Sequence, residues 1–557
     1  MKKILAVSFL FILGLTTFSY AQEGMSKGQM SSDAEFYFKG GNYLDALPLF
    51  RALDSIDPST ELKFKLAICY LYKTDEIRMG IALLESVKSE NPKQENLYFY
   101  LGRAKALNYK FDEAITFFNE ALTKKTSKDK LELIPRMIEY AETGKKLVED
   151  PIDVEIENIG KPINTRFREY VPVISADESI LIYTYVGERS TGGRQNDYAE
   201  PDPKGHYFED VVQSLKSTDD VWSEPEKIGE NINTHGHDAS LALSANGQKL
   251  FIFKDTEGSS GDIYVSELEG YTWSLPVALD SSINTSSWEG GVTLSADENT
   301  LYFASERSGG IGGRDLYKSS RNNDGSWGRA RNLGPKINTI YDDESPFIHP
   351  DGKTLFFSSK GHQSMGGYDV FRTLAISDTS WTTPENIGYP INTTGDDKYY
   401  VLSADGERGY YSTQKFGGLG QQDIYVVHLG ASARKHALIL IKGIVTANDK
   451  PSEAEITVEY AKSKLPYEGY FKSNSATGKY IVILPSEKDY NLTFKVDGFE
   501  PQIENIDASE ITKYKEIIKD VHIYSADYVR AVDITGKLLL GENAGPAAVV
   551  TISIMND

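Results

Sequence analysis

Between Ser32 and Lys125 small and large apolar positions recur every 34 residues: Ala46, Gly80 and Ala114, then Phe50, Leu84 and Phe118, with Phe64 and Tyr98 as a further pair. Pro58 and Pro92 keep the same spacing. Small residues where two helices cross, large ones between them and proline at the exit predict stacked helical hairpins. A last amphipathic stretch, about 128–148, offers Leu131, Leu133, Ile134, Ile138 and Leu147 and predicts a capping helix. The helical region is therefore expected over 31–148.

From about residue 153 the pattern shifts to short alternating strands in units of roughly 50 residues. Ile-Asn-Thr marks each unit, at Asn164, Asn233, Asn284, Asn338 and Asn392. An apolar strand follows, then a turn such as Ser295-Ala-Asp-Glu, then a second strand such as Leu301-Tyr-Phe-Ala. A glycine-rich turn leads to Asp262-Ile-Tyr, Asp315-Leu-Tyr, Asp369-Val-Phe or Asp423-Ile-Tyr, and Trp222, Trp273, Trp327 and Trp381 open a last strand. Four strands per unit and five units predict a five-bladed β-propeller over 152–430. The fifth unit ends at Leu429 without a tryptophan strand, and Val154–Asn158 is an orphan strand before the first. That strand is expected to complete the last blade and remove two free edges. The first unit carries a long insertion, about 187–210, read as a loop.

A third pattern runs over 437–524, with Ile441-Lys-Gly443-Ile-Val, Gly478-Lys-Tyr480-Ile-Val-Ile-Leu484 and Tyr490-Asn-Leu-Thr-Phe494 as strands of a predicted β-sandwich. Residues 526–557 open similarly, at Ile534-Thr-Gly536-Lys-Leu, and are expected to begin a second sandwich in a longer chain or to form a partial strand pair. The fold class expected is multidomain: α solenoid, propeller, sandwich.

The N-terminus and the charge add a compartment. Lys2 and Lys3, an apolar run from Ile4 to Leu15 and Ser19-Tyr20-Ala21 form an expected signal peptide over 1–21. No cysteine follows the run, so lipidation there is not expected, and no other segment is apolar enough to span a bilayer. The single cysteine, Cys69, reads as a core residue. A net charge of −22 disfavours nucleic acid and anionic membranes as partners.

No nucleophile elbow, zinc motif or phosphate loop occurs, and no catalytic residue, cofactor or metal is expected. Gly309-Gly-Ile-Gly312-Gly313 recurs in kind at Gly366-Gly367 and Gly417-Gly-Leu-Gly420, so turn geometry explains it. His235-Gly-His237 is the one imidazole pair, in a loop where other units carry no histidine. Five residues after each repeat asparagine stands an acid: Glu169, Asp238, Glu289, Asp343 and Asp397. Symmetry predicts a ring at one channel mouth, with raised carboxyl pKa values. The favoured reading is structural, each carboxylate bonding backbone N–H groups; the alternative is a cationic ligand such as Ca²⁺ or a peptide amine. Phe36, Tyr37, Tyr70, Tyr98 and Arg103 are the candidate partner-binding groove of the helical repeats.

These residues carry a family resemblance. Tyr98-Phe-Tyr-Leu101-Gly102 with Ala114, Phe118 and Ala121 resembles the tetratricopeptide repeat. The Asn-Thr and Asp-Ile-Tyr units resemble the TolB-type, WD-like propeller repeat, and Gly478-Lys-Tyr480 resembles the carboxypeptidase-regulatory-like sandwich. In this order the modules resemble the modular outer-membrane-associated proteins of Bacteroidetes, among them the PorE-type proteins of type IX secretion. The resemblance implies a non-enzymatic periplasmic scaffold at the outer membrane that binds envelope proteins. That family grips peptidoglycan through an OmpA-like domain; no such motif occurs in these residues, so direct peptidoglycan binding is not expected of them. The rival expectation is a propeller-based receptor or hydrolase for carbohydrate, peptide or envelope fragments, using the channel mouth and the first-unit loop.

Overall fold

The computed structural model describes residues 25–528 apart from 74–75, 197, 199, 203–204, 256–259, 416 and 431–436. The expected signal peptide and most of the expected second sandwich start lie outside the described residues.

Seven helices come first: α1 (Lys27–Lys39), α2 (Tyr43–Ile56), α3 (Thr60–Tyr70), α4 (Ile77–Glu90), α5 (Leu97–Leu107), α6 (Phe111–Ala121) and α7 (Lys128–Glu149). Ser26 and Ser59 cap α1 and α3, each side chain accepting a backbone N–H three residues on at 3.2 Å. Each helix packs on the next. The small repeat positions are where this packing is tightest. A Cβ on Gly80 would stand 2.9 Å from the Ala67 carbonyl, and one on Gly102 would stand 2.6 Å from the Phe118 ring. Leu84, Leu101, Ala114 and Phe118 are buried around them. Cys69 is buried too, which pushes its thiol up to about 12.

Five antiparallel sheets follow. Their first strands are Arg168–Ile174, Asp238–Leu243, Glu289–Leu294, Asp343–Ile348 and Asp397–Leu402, and these touch in cyclic order, the last meeting the first. That closed ring of sheets is a β-propeller. The fifth sheet draws its outermost strand from the other end of the ring: Val154–Asn158 pairs with Asp423–Leu429, Val154 opposite Leu429 and Asn158 opposite Tyr425. Every first strand carries a register shift, at Tyr170/Val173, Ser240/Ala242, Gly290/Val292, Glu344/Phe347 and Lys398/Val401. Such a bulge sharpens the twist and re-aims side chains.

The insertion in the first unit is not a bare loop. It contains a short hairpin, Arg194–Gln195 with His206–Tyr207, and Tyr207 packs edge-on against Phe167.

Two facing sheets complete the described chain. One is centred on Leu438–Ala447, paired with Lys479–Pro485; the other runs Pro466–Lys472, Glu455–Tyr460, Tyr490–Lys495, Gln502–Ile506. Ile441, Val458, Val482, Leu492 and Phe494 fill the space between them.

The propeller stands between the other two units. On one face Leu438, Leu440 and Ile483 of the sandwich cluster with Ala176 and Ala404 from the propeller turns. Gln248 donates to the Lys472 carbonyl at 3.1 Å, and Asn474 donates to the Gly270 carbonyl at 2.9 Å. Above this plug the channel is apolar, lined by Val173, Leu241, Val292, Phe347 and Val401, and holds a void of only about 60 Å³. The opposite face carries the helices.

Candidate functional site

The helices stand on the propeller as an arch with three footings. The firmest is α7: the Arg136 guanidinium donates to the carbonyls of Lys360, Gly361 and His362 at 2.5, 2.7 and 3.2 Å and lies over the Tyr341 ring. Tyr140 donates to the Lys360 carbonyl at 2.8 Å, and Met365 of the propeller joins the helical core beside Ile134 and Ala141. Between α5 and α6, Tyr109 meets Tyr389 edge-on. At the other end of the arch, Tyr37 of α1 meets His206 of the insertion hairpin, with Asp45 of α2 3.9 Å from the same imidazole.

Beneath the arch lies a cavity of about 1270 Å³, walled by α2–α7 and by the fourth, fifth and first sheets. Its helical wall presents Tyr43, Tyr72, Tyr100 and Arg103; its propeller wall presents Tyr170, Lys398, Tyr399 and Lys415. Arg103 stacks over Tyr72 at 4.3 Å and donates to its hydroxyl. Tyr43 and Tyr72 stack at 4.1 Å.

The channel mouth opens into this cavity through a belt of polar contacts. His237 pairs with Glu209, Glu209 accepts from the Tyr170 hydroxyl at 2.8 Å, and Tyr170 meets Tyr399 at 6.2 Å. Lys398 lies over Tyr399 at 4.9 Å and pairs with Glu344, which also accepts from Arg314 at 2.6 Å. Burial pushes both carboxyls up, but their cationic partners outweigh it, and Glu209 and Glu344 lie below the usual carboxylate range. Donating to the Glu209 carboxylate raises His237, which also stacks on Phe208 at 3.9 Å. For Lys398 burial works against the charge, and Glu344 more than compensates.

The five repeat acids occupy the starts of the first strands and are fully buried. Each turns back on the threonine four residues before it. Glu289 accepts the Thr285 N–H at 2.7 Å and its hydroxyl at 2.8 Å; Glu169, Asp238, Asp343 and Asp397 do the same with Thr165, Thr234, Thr339 and Thr393. None of the five lines the cavity. Burial raises Glu169 and Asp343 to about 7 and Asp397 to about 6. Lys254 pairs with Asp238, and Arg307 with Glu289. The glycine-rich turns are filled likewise: Asp315 accepts the N–H groups of Ile311 and Gly312 at 2.6 and 3.0 Å, and Asp423 those of Leu419 and Gly420 at 2.6 and 2.9 Å.

Of the five groove candidates, only Arg103 reaches the cavity. Tyr70 is buried under Arg51, whose Nε donates to its hydroxyl at 2.7 Å, and Tyr98 is buried near Phe117. Tyr37 belongs to the insertion footing, and Phe36 is 73% exposed. The residues that line the mouth follow the repeat acids directly: Tyr170, Glu344 and Lys398, where the second and third units have Ala239 and Gly290. That break in the repeat is the signal sequence reasoning missed.

No family model matches the chain, and no curated protein matches it. Solved structures similar to it include a putative TolB from Agrobacterium tumefaciens, at 15% identity and a TM-score of 0.29, over 59% of this chain and 96% of that one. TolB from Acinetobacter baumannii is similar at 16% and 0.28, over 58% and 66%, and an α-L-arabinofuranosidase from Lactobacillus brevis at 12% and 0.32, over 48% and 91%. Likeness at this level says nothing about activity. Among the described residues, no helix is long and apolar enough to cross a membrane.

Proposed function

We propose that this chain is a non-enzymatic scaffold of the cell envelope, exported to the periplasm and working at the outer membrane. In this reading the helices are tetratricopeptide-type repeats, the five sheets are the blades of a TolB-like propeller, and the last unit is a carboxypeptidase-regulatory-like sandwich. The observation that carries it is the arch: a solenoid seated on one propeller face by Arg136, Tyr140 and His206 makes one composite surface and encloses a cavity larger than ordinary small-molecule sites. Partner proteins are held there, and the type IX secretion assembly is one such setting.

The hydrolase alternative finds little support in the mouth. Two-carboxylate hydrolysis needs one carboxyl that keeps its proton, and the belt carboxyls Glu209 and Glu344 are held ionised by cations, while Asp396 is the single carboxylate of the cavity wall. The repeat acids whose pKa is raised are fully buried, out of a substrate's reach.

The test is crosslinking in intact cells, followed by capture of the full chain and fractionation of outer membrane, periplasm and peptidoglycan. Enrichment of outer-membrane or secretion components supports the scaffold. Recovery of the protein alone in the soluble fraction sinks it.

A further inference from the structure

The cavity under the arch has a charge opposite to that of the chain. The protein carries a net −22, yet the cavity walls present Arg78, Arg103, Lys130, Lys398 and Lys415 against a single carboxylate, Asp396. Asp396 is already engaged by the Tyr368 N–H at 2.9 Å. Two of the cations are answered locally, Lys398 by Glu344 and Lys130 by Asp129. Arg103 and Lys415 are not: among the described residues neither has a carboxylate within ion-pair distance. Arg103 spends one of its five N–H groups on the Tyr72 hydroxyl, and Lys415 one of its three on the Pro390 carbonyl at 3.1 Å. Lys415 is half-buried over the rings of Tyr411 and Tyr425, and that burial holds its ammonium below the ordinary lysine value although the more distant Asp397 carboxylate pulls it the other way. A guanidinium and an ammonium facing one cavity, neither joined to a carboxylate in an ion pair, keep N–H donors that an entering anion satisfies.

Size and lining narrow the anion. At about 1270 Å³ the cavity exceeds the usual range for one small molecule. Its tyrosines offer flat amphipathic surface and hydroxyl groups on both walls, which suits a peptide chain. Resting on the scaffold reading, and giving its partner a chemistry, we propose that the cavity binds an acidic peptide segment, one carboxylate meeting Arg103 on the helical wall and another Lys415 on the propeller wall. The closed far end of the channel, plugged by Leu438, Leu440 and Ile483, makes this mouth the channel's accessible end.

The experiment is fluorescence anisotropy with the full chain and fluorescein-labelled hexaglutamate, its C-terminal amide, hexaglutamine and hexagalacturonate. Hexaglutamate is expected to bind and hexaglutamine not, with affinity falling as salt rises. Equal binding of the amide assigns the carboxylates to side chains; loss on amidation assigns one to the chain end. Arg103→Met and Lys415→Met are each expected to weaken binding about tenfold or more with an unchanged melting temperature, while Arg329→Met, on the exposed propeller surface, leaves it unchanged. Hexaglutamate binding no better than hexaglutamine, indifference to both cavity variants, or binding of hexagalacturonate alone overturns the proposal. A captured envelope partner combined with any of those results would leave the scaffold standing and the acidic-peptide site refuted.

Discussion

Asn164 clasps Ile424 across 260 residues of chain: its side-chain oxygen accepts the Ile424 N–H at 2.9 Å and its amide donates to the Ile424 carbonyl at 2.8 Å. The carboxamide thereby imitates a neighbouring strand. The same clasp recurs from Asn233 to Val211, Asn284 to Ile263, Asn338 to Leu316 and Asn392 to Val370, always onto the third strand of the preceding sheet. Four clasps join near neighbours in sequence. The fifth, at Asn164, closes the ring.

Asn164→Ala leaves the buried Ile424 N–H unpaired and takes one of two donors from the Ile424 carbonyl, which keeps the Ile159 N–H at 3.1 Å, a cost of about 1–3 kcal/mol. Asn338→Ala removes the same two bonds and should lower the urea midpoint comparably. The two differ in where the protein opens. Amide exchange in Val154–Asn158 and Asp423–Leu429 should accelerate in Asn164→Ala alone, because only that seam joins the first and last strands of the propeller. Equal exchange in both variants would deny the seam its closing role.

Arg136→Ala removes the guanidinium that gathers three consecutive carbonyls and leaves those acceptors to water. The helices keep their own core, so far-ultraviolet circular dichroism should not change. Limited proteolysis in the connection at 150–153 should speed up several-fold, and the scattering radius should grow as the arch lifts. Retention of wild-type protease resistance would show that Tyr140, Met365 and the other footings suffice.

How far these features can be read from sequence differs by origin. The clasps and the repeat acids are legible because each unit solves the same local problem with the same residue at the same offset, as Asn164 and Glu169 or Asn392 and Asp397 do. The footings are not. Arg136, Tyr109 and His206 each meet a partner far away in the chain, once, so no period exposes them. The offset of the acids and a structural use of their carboxylates on backbone N–H groups are legible in sequence; that the N–H groups and a hydroxyl come from Thr165, Thr234, Thr285, Thr339 and Thr393, which turns the acids away from the mouth, is not. Lys415 shows the converse. The position two residues past the repeat acid's partner on the second strand is Gly187, Arg307, Gly361 and Lys415 in four units, and only comparison of the sheets shows that Arg307 turns to Glu289 while Lys415 faces the cavity.

Stability should fall with rising pH through the window set by the raised carboxyls. Glu169 keeps its proton to about 7 in the folded protein because it is buried, whereas an unfolded glutamate releases it near 4.5. Between those values the folded state binds more protons, so its advantage shrinks as pH increases. Wild type minus Glu169→Gln, compared by urea denaturation at pH 4.5 and 7.5, should lose on the order of 2–3 kcal/mol over that interval. A pH-independent difference would mean that Thr165 stabilises the ionised carboxylate enough to cancel burial.

The pair Glu344–Lys398 sits at the mouth with both side chains largely withdrawn from water, 4% and 17% exposed, and Arg314 shares the carboxylate. Glu344→Gln strips Lys398 of its counter-charge and leaves Arg314 only Glu306, 3.0 Å away, and breaking a buried pair from one side costs about 3–5 kcal/mol. Lys398→Met leaves Glu344 still answered by Arg314 at 2.6 Å, so it should cost less. The double variant should be less damaging than the sum of the singles, since the lysine no longer needs the acid, giving a coupling of about 1–3 kcal/mol in a denaturation cycle. Additive singles would show that the belt around the mouth is a set of independent surface contacts. A large coupling makes it a rigid rim, built to hold Tyr399 and Tyr170 in fixed positions at the floor of the cavity.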